Sequence, residues 1–187
     1  YSSSMPGRAS IYGREKMSIR NKIGAALIFT IGTVCAAQTA VADHHAKSGN
    51  YDYVLSAVTD FTTLEQLDHV VRAGPISGTI TIIGSSGGPY EVGASSTILG
   101  IGYIKKSDSG IELESPATIT NSSGDKWYNV ARRNVGDQSV GGGGKGRSEI
   151  TGGTGKYEGI TGTCEYTADY LVESKIVVWG SCHWQRD

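Results

Sequence analysis

No segment of this sequence keeps a helical period long enough to cover both faces of a parallel sheet, which argues against an α/β architecture. No unit recurs at a fixed spacing of roughly 20–50 residues, so propellers and solenoids are also set aside. Basic runs are scarce. Lys105-Lys106 and Arg132-Arg133 are isolated pairs, each read as a solvated strand edge rather than a nucleic-acid surface. The three cysteines, Cys35, Cys164 and Cys182, form no C-x-x-C pair and therefore no thioredoxin-type redox motif. A phosphate loop is missing as well. Counting back from Gly155-Lys156 or Gly144-Lys145, the Walker pattern needs a glycine where Ile150 or Ser139 stands. No G-x-S-x-G precedes a helix, and His69 and His183 lack local partners for general-base or metal chemistry. Motifs thus assign no catalytic residue, metal site or cofactor.

What the chain does have is glycine, 27 in all, punctuating segments with a period of two. Residues 152–166 read GGTGKYEGITGTCEY. Glycines tolerate positive φ and close backbone approach, so the run from Gly152 and Gly153 to Gly155 suits a tight turn or a bulge. From Ile160 onward the even positions Ile160, Gly162, Cys164, Tyr166, Ala168 and Tyr170 are less polar than the odd ones, which marks a long strand. Further strands are expected over residues 51–58, 76–83, 97–104, 111–119, 127–131, 147–151 and 175–184. Residues 61–73 fit either a short helix, through Leu64, Leu67, Val70 and Val71, or another strand. Residues 84–89 and 121–125 read as turns, residues 140–146 as flexible or bent, and Pro116 as a mark of an edge or bulge. Eight or nine short strands with at most one short helix indicate a single all-β domain, an antiparallel barrel or sandwich.

The start of the chain carries a targeting pattern. Residues 1–16 read as upstream read-through and Met17 as the initiator. Arg20 and Lys22 precede an uncharged run to Ala42 that ends Ala40-Val41-Ala42, so residues 17–42 are expected to be a secretory signal peptide. The mature chain, residues 43–187, would keep 12 basic against 17 acidic residues, a net −5, and no membrane span. Residues 43–50 would be a polar tail. Its Asp43-His44-His45 terminus has the spacing of a square-planar Cu(II) or Ni(II) site, although an incidental polar tail is the simpler reading. A secreted or periplasmic location suits one disulfide between Cys164 and Cys182. Set opposite each other in a hairpin, they also pair Tyr166 with Gly180, Ala168 with Val178 and Tyr170 with Ile176, leaving residues 172–174 as the turn.

Gly124-Asp125-Lys126-Trp127, a glycine-rich gap at residues 141–146, and the run Gly152, Gly153, Thr154, Gly155, Lys156, Tyr157, Glu158, Gly159, Ile160, Thr161, Gly162 form one constellation. It resembles the allene oxide cyclase and dirigent type of β-barrel, nearest to bacterial secreted proteins built on that calycin-like plan. The resemblance implies an eight-stranded antiparallel barrel around a hydrophobic cavity. In plant members that cavity guides cyclisation of a reactive oxide or coupling of phenoxy radicals; no catalytic residue of those enzymes maps here by motif. Trp127, Tyr166, Tyr170 and Trp179 are the aromatic candidates for gripping a small hydrophobic molecule. Cyclase-like chemistry in the same cavity, or a filled barrel serving as a structural module, are the alternatives.

Overall fold

A computed structural model describes residues 46–187. The signal peptide expected over residues 17–42 and the expected Asp43-His44-His45 terminus lie outside the described residues. Nine strands follow in order: β1 (Ser48–Thr59), β2 (Thr62–Glu65), β3 (His69–Ser85), β4 (Ser95–Ser107), β5 (Gly110–Thr120), β6 (Lys126–Arg133), β7 (Gly143–Gly153), β8 (Ile160–Tyr170) and β9 (Lys175–Arg186). One 3-10 turn, Gly155–Tyr157, separates β7 from β8. All neighbours are antiparallel in the order β1-β9-β8-β7-β6-β5-β4-β3, and β3 returns to β1. Eight strands therefore close into a barrel, and closure leaves no long unpaired edge.

The period-two pattern decides which side chains fill it. Tyr51, Tyr53, Leu55 and Ala57 of β1, Ile80 and Ile82 of β3, and Cys164, Tyr166 and Ala168 of β8 are all buried in one core. Each sits on the inward parity of its strand.

The β8–β9 hairpin has the expected register, with Cys164 opposite Cys182 and Tyr170 opposite Ile176. The two sulfurs are 2.01 Å apart, the distance of a disulfide bond. The staple closes a separation of 18 residues. Replacing both cysteines by alanine is expected to lower the stability by about 3 kcal/mol in urea denaturation. A loss under about 1 kcal/mol would mean that the ladder alone holds this hairpin in both the native and denatured states.

One open alternative is decided and three expectations change. Residues 61–73 form the strand and not the helix: β2 pairs with the start of β3, Leu64 opposite Val71 and Glu65 opposite Val70. Leu64 and Leu67 are exposed, so a helix there would have had nothing to bury. β2 covers the part of β3 that β1 does not reach, and the chain crosses between them where the Asp60 amide donates to the Pro75 carbonyl at 3.0 Å. The expected tail is shorter, because β1 already begins at Ser48 and pairs there with Gln185. The glycine run at 140–146 is strand from Gly143 on, paired with Asp169. Finally, Pro116 lies on an interior strand without a register shift. The β4–β5 ladder lapses between Gly100 opposite Ala117 and Tyr103 opposite Glu114, which accommodates the missing proline N–H.

Candidate functional site

One end of the barrel is plugged by aromatic rings. Tyr51, Trp127 and Trp184 project inward from β1, β6 and β9, and Tyr90 descends from the β3–β4 loop. Tyr90 stacks on Tyr51 at 3.9 Å between centroids and meets Trp127 edge-on at 5.7 Å. Tyr157, on the 3-10 turn, packs against Trp127 at 4.6 Å and Tyr90 at 5.4 Å. Offset and edge-on pairs of this kind are the favoured aromatic arrangements.

The glycine-rich constellation builds this plug. The Thr154 amide donates to the Lys126 carbonyl at 2.7 Å, and the Lys126 amide donates to Thr154 Oγ1 at 3.0 Å. Gly155 then turns with φ +57°, where a Cβ would overlap the Asp125 carboxylate. Only glycine satisfies both conditions. Upstream, the β6–β7 register shifts by one residue between Tyr128 and Asn129, opposite Gly152 and Ile150. That bulge carries the chain over the barrel end. Gly124-Asp125-Lys126-Trp127 and the later run are thus two halves of one structural joint, with Gly153 against Trp127 in the ladder and Gly159 and Gly162 leading into β8.

Below the plug lies a cavity of about 110 Å³. Its wall is mainly aliphatic and aromatic, including Tyr53, Leu55, Ile80, Ile98, Ile104, Ile119, Ala168 and Val178, with Trp127 as its floor. A short polar seam crosses it: Asn129 Nδ2 donates to Ser148 Oγ at 3.2 Å, with Ser115 nearby in the lining. Tyr166 lies across Gly146, where a Cβ would collide with the ring, and its hydroxyl donates to the Arg132 carbonyl at 3.4 Å. Burial pushes its phenol up to about 12. Burial also holds the phenols of Tyr51, Tyr53, Tyr90 and Tyr157 well above the ordinary tyrosine value. No carboxylate or imidazole lines the cavity among the described residues.

The opposite end is polar. Arg133 points inward and is only 4 % exposed, although Arg132 beside it lies outside between Glu114 and Glu149. Reading both arginines as a solvated edge therefore fails for Arg133. It shares the odd parity of Trp127 and Ala131, and that alternation was the overlooked signal. Its Nη2 donates to the Tyr170 hydroxyl at 3.0 Å, and the guanidinium lies 5.3 Å from the Tyr170 ring centroid. Gln138 Nε2 donates to the same hydroxyl at 3.4 Å, while Gln138 Oε1 accepts from Arg72 Nη1 at 3.4 Å.

Of the four aromatic candidates, Trp127, Tyr166 and Tyr170 line the cavity at its floor, wall and mouth. Trp179 does not. It faces outward at 42 % exposure, opposite Thr167, because Val178 and Cys182 take the inward parity of β9. It lines an outer groove of about 910 Å³ that shares Leu113, Arg133 and Tyr166 with the cavity, so those three side chains form the partition between them. Tyr51, Tyr53 and Tyr90, which join the site, carried no motif. His69 Nδ1 lies 2.7 Å from Asp68 and His183 Nδ1 lies 3.1 Å from Asn50 Oδ1. Among the described residues no group of three or more His, Cys, Asp or Glu side chains gathers to hold a metal, and no helix is long and apolar enough to cross a membrane. Compared with protein-family models, curated proteins and solved structures, the chain matches none.

Proposed function

We propose that this is an exported barrel that binds a small apolar molecule non-covalently in its central cavity. The observation carrying the reading is the largely apolar space beneath the aromatic plug, about 110 Å³ with one short polar seam. An engineered apolar cavity of about 150 Å³ takes benzene, so this smaller one sets a single ring or a short chain as the upper size. Such a pocket, with a few convergent polar groups, is the usual form of a small-molecule site. A cyclase- or dirigent-like reaction, as the resemblance would imply, calls for groups that move protons near neutral pH. The lining offers instead phenols held protonated by burial, which favours binding over that chemistry. A disulfide in the late hairpin and the leader-like sequence at residues 17–42 support export.

Titrating the mature protein with benzene and 1-hexanol, followed by methyl NMR, tests this. Shifts concentrated at Ile80, Ile98, Ala168 and Val178 are expected. Saturation should raise the stability by about 2.7 kcal/mol at a hundredfold excess over Kd. Unperturbed methyls at the solubility limit of both probes would make this a filled barrel.

A further inference from the structure

Arg133 stands at the mouth of the cavity and Arg72 reaches the same cluster through Gln138, and neither guanidinium meets a carboxylate among the described residues. Arg133 lines the cavity, and its Nε and Nη1 have no hydrogen-bond partner among the described residues. Arg72 Nε is likewise buried without a partner, and its guanidinium lies 5.5 Å from the Phe61 ring, itself part of the lining. None of the seven ion pairs among the described residues includes either arginine. A buried, unpaired cation is costly to keep and in proteins is normally matched by an anion. Nε and Nη1 lie on different edges of the planar fork, so either edge presents a free donor. The Tyr170 hydroxyl already accepts from Arg133 and Gln138, which leaves its own proton to donate.

From this geometry we infer that the cognate ligand is an apolar monocarboxylate. Its single ring or short chain fills the cavity, and its carboxylate is held at the mouth by Arg133 and the Tyr170 hydroxyl, with Arg72 adding positive charge. The inference deepens the cavity reading above and rests on it. Charge-assisted hydrogen bonds to a desolvated guanidinium are strong and directional, so the carboxylate fixes which end of the ligand enters first.

The test compares hexanoate with 1-hexanol by calorimetry at pH 7, where the carboxyl group is ionised. Hexanoate is expected to bind about ten- to hundredfold more tightly than the alcohol. In Arg133→Met the preference should vanish or reverse. In Lys175→Met, which removes an exposed cation beside Ile176, it should persist. Should Arg133→Met fail to fold, Tyr170→Phe serves instead, and a several-fold drop in the preference is expected. Equal binding of acid and alcohol to the unaltered protein would overturn the carboxylate assignment and leave the cavity reading standing. A preference that Lys175→Met abolishes as fully as Arg133→Met would trace it to general surface charge and overturn the assignment too. Binding of neither probe would remove the cavity reading and this inference together.

Discussion

Above pH 11 the barrel is expected to unfold in one cooperative step, with a burst of tyrosinate absorbance at the same pH. Five of the ten tyrosines have phenols raised by burial: Tyr51, Tyr53, Tyr90, Tyr157 and Tyr166. Below an unfolded phenol's pKa of about 10 both states keep their protons, and the fold has its full stability. Above it the unfolded chain releases protons that the native barrel retains. Stability then falls by about 1.4 kcal/mol per pH unit for each such phenol, until the folded pKa is reached. For Tyr166 that window closes near 12; for the other four it extends further. Five groups together remove about 7 kcal/mol per unit, so an ordinary reserve of about 5–15 kcal/mol is exhausted one to two units above pH 10. Circular dichroism and tyrosinate absorbance recorded on the same samples decide the matter. Smooth ionisation of nearly all tyrosines near pH 10, with the sheet signal intact, would contradict the burial described above.

Trp127→Ala is expected to cost about 3–5 kcal/mol, the usual penalty for emptying a fully buried aromatic site. Trp127 is 1 % exposed and touches both Tyr90 and Tyr157, so little around it can collapse into the void. Tyr157→Ala should destabilise by less, because the 3-10 turn that carries it can relax outward. The double variant is expected to fall short of the sum of the singles by about 0.5–1.5 kcal/mol, the worth of the ring pair itself. Urea midpoints for all four proteins measure it. Strict additivity would mean the two rings fill space independently, and the joint between Gly124-Asp125-Lys126-Trp127 and the later glycine run would lose its energetic basis.

Much of the barrel was legible because alternation is a local property. The even positions of β8 follow from alternation, and setting Cys164 opposite Cys182 then fixes the register of β9. What alternation does not convey is contact between loops. Tyr90 sits on a connection that reads only as a turn, and nothing local ties it to Tyr157 or Tyr51. Residues 61–73 stayed open between helix and strand for the opposite reason. Leu64 and Leu67 mimic a helical stripe, but both end in solvent, on and just after a strand that pairs only with β3, outside the closed ring. At Arg133 two rules competed. Charge argued for the surface, parity for the interior, and parity prevailed because the neighbouring Trp127 and Ala131 commit β6 to one facing.

β1 and β9 run side by side, and the Arg186 amide donates to the Lys47 carbonyl at 2.8 Å. Both strands reach that point at the plugged end, so a linker or surface attachment added after Asp187 departs from the pole opposite Arg133 and Tyr170. Anchored there, the protein would hold its entrance toward the bulk, and a sensor immobilised by this end would keep the opening accessible to incoming solute.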